Sequence, residues 1–288
     1  MKKILCLLMF LLNSSFIFSQ NINKLRTFKQ TAKFLKKHVN KKYTFKEVFD
    51  REKEFDEEDF TNYVKKIDIN NDGYTDLIVD GYLSLIIVIN EGNNKFKELK
   101  FENRKRSLEN NPELDTIIKT GGEIVLVFKT KIYNFDEKID SNVKFNIDSL
   151  TVKYRELVEY KMSKANSKIR EVKFSTSGCF GTCPIFEIKL TSDRNLEYKG
   201  EEFTNYKGIK NLKLNQSNYN DLIGLLEYAD LKHLKDHYSV NWTDDQAGTL
   251  KIIYENGDVK DIYDYGLFGT INLRVIYKKF FEINKNIK

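Results

Sequence analysis

Two stretches carry residues whose types and spacing could do chemistry. The first is Ser177-Gly178-Cys179-Phe180-Gly181-Thr182-Cys183-Pro184. Cys179 and Cys183 are four residues apart, a span of about 13 Å in extended chain and too long for a disulfide. The chain must turn between them, and Gly178 and Gly181 are the residues that let it. Pro184 then fixes φ and opens Pro-Ile-Phe-Glu-Ile-Lys-Leu, which alternates like a strand. A tight loop feeding a strand is expected, closed by a disulfide if the compartment is oxidising. A structural staple, a redox pair and half of a metal site are the readings to separate. Thioredoxin-like pairs are C-x-x-C and open a helix, whereas this pair is C-x-x-x-C and opens a strand. Zinc would need two further ligands, and beyond residue 20 the chain offers no other cysteine and only His38, His233 and His237.

The second stretch is Asp68-Ile-Asn-Asn-Asp-Gly-Tyr-Thr-Asp. Asp68, Asn70, Asp72 and Asp76 stand at positions 1, 3, 5 and 9 of a calcium loop. Gly73 supplies the sharp turn at position 6, and the Tyr74 carbonyl falls at position 7. Alternating oxygen ligands suit a hard cation, so Ca2+ is the expected ion. The twelfth position is Val79, where an EF-hand has Glu, and the loop runs straight into Leu77-Ile-Val. In this it resembles the single D-x-N-x-D-G-x-x-D loops of FG-GAP-type β-proteins. The alternative is an Asx-rich turn that needs no metal.

Around the cysteines, Ile169-Arg-Glu-Val-Lys-Phe-Ser-Thr-Ser-Gly-Cys-Phe-Gly-Thr-Cys-Pro-Ile-Phe-Glu-Ile resembles the opening of DUF6438, a bacterial domain family of unknown function. Leu196-Glu-Tyr-Lys-Gly, a helix near Tyr219–Tyr228, Trp242-Thr-Asp-Asp and Gly257-Asp-Val-Lys-Asp-Ile-Tyr-Asp-Tyr-Gly fit it too, over about residues 168–283. The resemblance implies an exported α+β module and brings no activity, substrate or catalytic residue.

The elements that must position these stretches follow from periodicity. Residues 1–20 read as a secretory signal peptide, with Lys2 and Lys3 before a short apolar core from Ile4 to Leu12. The run is too short to span a membrane, and Cys6 inside it lacks a small-residue cleavage site. A product cut near Ser19 or Gln20 is expected, periplasmic or secreted, with no stable membrane insertion afterwards. About 268 residues then remain, enough for two modest modules. Without Lys2 and Lys3 the chain holds 46 basic and 42 acidic residues, too mild an excess to argue for nucleic acid. Its 41% hydrophobic and 13% aromatic content can build a core.

Residues 22–39 place Leu25, Phe28, Ala32, Leu35 and Val39 on one face of a basic helix. Residues 47–59 follow with eight acids against two bases, so a solvated basic face neutralised by its neighbour is weighed against a membrane-surface helix. Strands are predicted over Leu77–Asp80, Leu83–Asn90, Phe96–Leu99, Glu123–Thr130 and Ser149–Tyr154, a meander with a helix before it. The first module is expected over 21–160, with the boundary in polar Arg155–Ser167. A second, over 168–288, reads βββαββα. Its strands are Ile169–Ser175, Ile185–Thr191, Leu196–Lys199, Thr249–Tyr254 and Val259–Tyr263. Asn215 caps one helix, and another runs over 270–283. Asn256-Gly257 signals a two-residue hairpin. The expected class is α+β, each module a mainly antiparallel sheet with packed helices.

No nucleophile carries a recognisable local signature. His233 and His237 are spaced like a zinc pair on a helix, yet lack the intervening Glu and sit among Lys232, Lys235 and Asp236. Asp244 and Asp245 beside Trp242 form one acidic-aromatic cluster able to hold a ligand, weighed against a polar loop. Two functions remain. One is an exported, non-enzymatic binding or scaffold protein stabilised by Ca2+. The other is an envelope enzyme or thiol-redox protein using Cys179 and Cys183.

Overall fold

A computed structural model describes residues 22–49, 59–81, 85–101, 112–132, 144–162 and 167–288. The expected leader, 1–20, lies outside these residues. The described chain is mostly β, with fifteen strands in three sheets and five α-helices. It divides into two compact units, one running to Val152 and the other from Lys153.

In the first unit, α1 (Phe28–His38) does not run through 22–39 as predicted. A separate 3-10 turn holds Ile22–Lys24, and Thr27 caps α1 by accepting from Gln30 N at 3.2 Å. Thr27-Phe-Lys-Gln30 has the capping-box spacing, the signal that marks this start. Leu25, Phe28, Ala32 and Leu35 are buried as expected, while Val39 is only half-buried. Short helices α2 (Phe45–Val48) and α3 (Phe60–Tyr63) add Val48 and Phe60 to the same core. Phe28 meets Phe49 and Phe60 edge-on, at 4.8 and 5.4 Å.

This core lies against an antiparallel sheet of β1 (Val64–Ile67), β2 (Asp76–Asp80), β3 (Leu85–Asn90) and β4 (Phe96–Leu99), in that order. The single expected meander is therefore two sheets. The second begins with β5 (Glu113–Thr120), β6 (Glu123–Ile132) and β7 (Lys144–Lys153). β5 was not foreseen because its side chains are nearly all exposed, so its sequence lacks the apolar alternation.

The second unit opens with β8 (Glu156–Glu159). Its central sheet comprises β9 (Ile169–Thr176), β10 (Phe186–Thr191), β11 (Asn195–Gly200) and β12 (Gly208–Lys213), then β13 (His237–Ser239), β14 (Ala247–Tyr254) and β15 (Val259–Tyr265). The strand order is β12-β11-β10-β9-β14-β15-β13. All neighbours are antiparallel except β13 and β15. Helices α4 (Gln216–Tyr228) and α5 (Ile271–Asn286) complete it, so the order is ββββαβββα after β8. The Asn256-Gly257 hairpin is present, but Tyr254 N donates to Asp258 O at 2.9 Å, so three residues form the loop rather than two.

Alternation assigns the two faces of this sheet. Val172, Phe174, Ile188, Leu190, Leu250 and Ile252 are buried on one side, and Phe174 stacks on Phe280 and Tyr277 of α5 at 4.7 and 5.3 Å. The other side carries diagonal ion pairs, Lys173–Glu187 at 2.8 Å and Lys189–Glu171 at 3.3 Å, as a wetted face does. Buried Glu156 of β8 receives Lys279 at 2.6 Å and Lys278 at 3.2 Å, fastening that strand to α5.

Candidate functional site

Antiparallel alternation gathers four connections at one end of the seven-stranded sheet: residues 177–185, 201–207, 240–246 and 266–270. The cysteine loop is the first of them. Cys179 and Cys183 stand at disulfide distance, with Cα atoms 5.7 Å apart. Gly181, at φ 151°, occupies backbone that a side chain would disfavour, and its N–H donates to Cys179 O at 2.9 Å. Gly178 does not adopt a positive φ, so the turn rests on Gly181 and not on both glycines as expected.

The loop's two ends are clamped from the connection that leads into β14, the neighbour of β9 in the sheet. Buried Gln246 donates through Nε2 to Ser177 O at 2.9 Å and Pro184 O at 2.8 Å. Thr176 Oγ1 also donates to Pro184 O, at 2.8 Å, and accepts from Phe186 N at 3.1 Å. Ser177 exchanges two bonds with Ala247. Further bonds tie the loop to both neighbours: Phe180 N to Asp244 O at 3.1 Å, and Ile185 N to Glu202 O at 2.8 Å. At the tip, Phe180 is 91% exposed. The arrangement is a fixed loop holding an aromatic side chain in water.

Residues 170–284 match the family model of DUF6438, a domain of unknown function. That span includes the cysteine loop, the clamp, α4 and all but the last two residues of α5. No curated protein matches the chain.

Within the DUF6438 region, Trp242 and Asp245 meet in the connection next to the cysteine loop. Trp242 Nε1 donates to Asp245 Oδ2 at 3.0 Å, and the Trp242 and Phe268 rings meet edge-on at 6.2 Å. Asp245 Oδ1 accepts from Gln246 N at 2.9 Å, so the same carboxylate steadies the clamp residue. Behind Cys183 lies an open cleft of about 380 Å³, lined among others by Asp245, Phe268, Arg274, Lys278 and Phe281. Arg274 sits over the Phe268 ring, 5.3 Å from its centroid.

Sequence reasoning missed Gln246 and Asp264. Asp264 is fully buried and accepts from Phe268 N at 3.0 Å and Gly269 N at 2.8 Å, shaping the loop before α5. Burial raises its carboxyl above the ordinary range, against those two amides. The Tyr277 hydroxyl lies close by without a well-formed hydrogen bond, and burial, then the Asp264 charge, drives its pKa upward. Gln246 has no local sequence signature, because only the fold brings Ser177 and Pro184 near it; Asp264 binds amides four and five residues on, within its own loop.

The histidine pair does not form. His233 ends a 3-10 turn, Leu231–His233, and contacts Asp230 at 2.8 Å, whereas His237 begins β13. The segment is a turn followed by a strand, not one helix.

In the first unit, residues 68–76 form a loop closed by its own side chains. Asp68 accepts from Asp72 N at 3.1 Å and Gly73 N at 2.9 Å. Asn70 accepts from Asp72 N at 3.3 Å, and its Nδ2 donates to Asp72 Oδ2 at 2.8 Å. Asp72 accepts from Tyr74 N at 2.9 Å. Gly73 takes φ 88°, the turn its position demands. Asp76 is fully buried and accepts from Ile69 N and Asn90 N, both at 2.8 Å. Burial pushes its pKa up to about 7, Asp72 and Asp68 add to the rise, and the two amides oppose it. The donors are all hard oxygens, as calcium requires. As placed, they turn to loop amides: among the described residues, no group of three or more His, Cys, Asp or Glu side chains is gathered to hold a metal. Among those residues, no helix is long and apolar enough to cross a membrane.

Proposed function

We propose that the chain is an exported bacterial protein that works by binding rather than by catalysis, with its DUF6438 region as the recognition module. One observation carries the reading: the Cys179–Cys183 loop is clamped at both ends by Gln246 while Phe180 stands in solvent. A rigid loop that exposes an aromatic ring loses little entropy on engagement and suits recognition. In this reading the disulfide is a staple. The leader and the spacing of the cysteines support export. The Asp68–Asp76 loop, through Asp68, Asn70, Asp72, Asp76 and the Tyr74 carbonyl, is assigned to Ca2+ that stabilises the first unit. The ion would supply charge compensation for three carboxylates.

The second reading, thiol-redox chemistry, draws on the cleft that reaches Cys183. A disulfide-exchange assay separates them. The isolated protein, given dithiothreitol and a disulfide-bonded protein substrate, should reduce it no faster than dithiothreitol alone. Turnover would establish the redox reading instead. N-terminal sequencing of material recovered outside the cytoplasm should begin within a few residues of Gln20. Retention of Met1 in a membrane fraction would remove export.

A further inference from the structure

Resting on the binding reading, the loop end of the DUF6438 sheet has a chemistry that selects its partner. Three exposed aromatic residues occupy three of its connections: Phe180 at 91%, Phe203 at 52% and Trp242 at 41% exposure. The charged residues in 177–185, 201–207, 240–246 and 266–270 are Glu201, Glu202, Asp244, Asp245 and Lys207. Four acids thus face one base at this end, although the whole chain carries a net charge of +6. Glu201 already pairs with Lys199 at 2.7 Å, but Glu202 and Asp244 are exposed on either side of the cysteine loop, whose backbone bonds to both.

Two cations lie behind this end. Lys278 is bonded to Glu156, and Arg274 is buried over Phe268, the ring that also meets Trp242. Arg274 therefore shows, inside the chain, how an aromatic side chain of this end accommodates a guanidinium.

We propose that this loop end docks an arginine-bearing segment of a partner protein. Guanidinium groups stack on aromatic faces and pair with carboxylates, and exposed Phe180 with Glu202 and Asp244 supplies both. Isolated exposed aromatics need no explanation, but three on connections tied together by backbone hydrogen bonds form a surface whose charge is predominantly acidic. The clamp by Gln246 and the staple fix Phe180 before any partner arrives, so ordering costs are met in folding.

The probe is a fluorescein-labelled (Gly-Arg)4 peptide, read by anisotropy against the full-length protein as isolated. A (Gly-Glu)4 peptide serves as control. The Arg peptide should bind and the Glu peptide should not. Phe180→Ala should weaken binding at least tenfold, and so should the pair Glu202→Gln with Asp244→Asn, all at exposed positions where melting should be unchanged. Glu171→Gln, on the paired face of the sheet, should leave binding unaltered. Equal binding of both peptides, no binding, or indifference to Phe180→Ala would overturn the proposal. Self-association of the protein alone that Phe180→Ala abolishes would overturn it too, by giving the surface to a second copy. The disulfide-exchange assay reports independently on the binding-against-redox reading, so the two can fail separately.

Discussion

The side-chain amide of Gln246 donates to Pro184 O at 2.8 Å, across 62 positions of sequence, and the same nitrogen reaches Ser177 O at 2.9 Å. One buried residue on the approach to β14 therefore holds both feet of the cysteine loop. Gln246→Ala would take the side-chain donor from Ser177 O and leave Pro184 O with Thr176 Oγ1. A loss of about 1–3 kcal/mol is expected, seen as a lowered melting midpoint of the second unit. An unchanged midpoint would mean that water replaces the amide and that the disulfide alone fixes the loop.

Asp76 predicts a pH dependence in the first unit. Its folded pKa lies at about 7 against an ordinary 3.8. Between those values the native chain keeps a proton that the unfolded chain has released. Stability therefore falls as pH rises from about 4 to about 7, by on the order of 4 kcal/mol at most, then levels off. Asp76→Asn should remove this component, read as the difference between wild-type and variant melting across pH 4–8 in chelator. If calcium occupies the loop, adding it should stabilise most above pH 7, where Asp76 is charged, and flatten the slope. Identical curves with calcium and chelator would make residues 68–76 an Asx turn.

Glu156 predicts a dependence between β8 and α5. It is buried and meets both Lys278 and Lys279. Removing one partner of a buried ion pair costs more than the pair contributes, because the remaining charge stays desolvated. The lysines are partly exposed here, so Glu156→Ala should cost about 2 kcal/mol, with Glu156→Gln intermediate. Urea denaturation of the second unit measures it; no change would show that the lysines simply turn to water.

Much of the DUF6438 region was legible because its signals are local. Asn215 caps α4 by accepting from Asn218 N at 2.9 Å, and Leu273, Ile276, Tyr277 and Phe280 are buried along α5 as their spacing requires. The cysteine turn was readable for the same reason. β12 escaped because Gly208-Ile-Lys-Asn-Leu-Lys is an edge strand exposed almost throughout, so nothing selects alternation. β13 escaped because three residues are too few to show a period, and its parallel pairing with β15 depends on the intervening fold. No spacing pointed to Gln246, whose partners Ser177 O and Pro184 O are brought close only by the sheet, while Asp264 serves amides four and five residues on, a contact that no alternation signals.

The staple itself should contribute modestly. A loop this short removes little unfolded-state entropy, about 2 kcal/mol, so Cys179→Ser with Cys183→Ser should lower the melting temperature while the fold persists. The central claim, that these cysteines are a closed structural clasp beneath Phe180, is tested most directly by thiol titration, in denaturant, of the protein without residues 1–20, which hold Cys6. The account predicts no reactive thiol before reduction and two afterwards. Two thiols without reduction would contradict it.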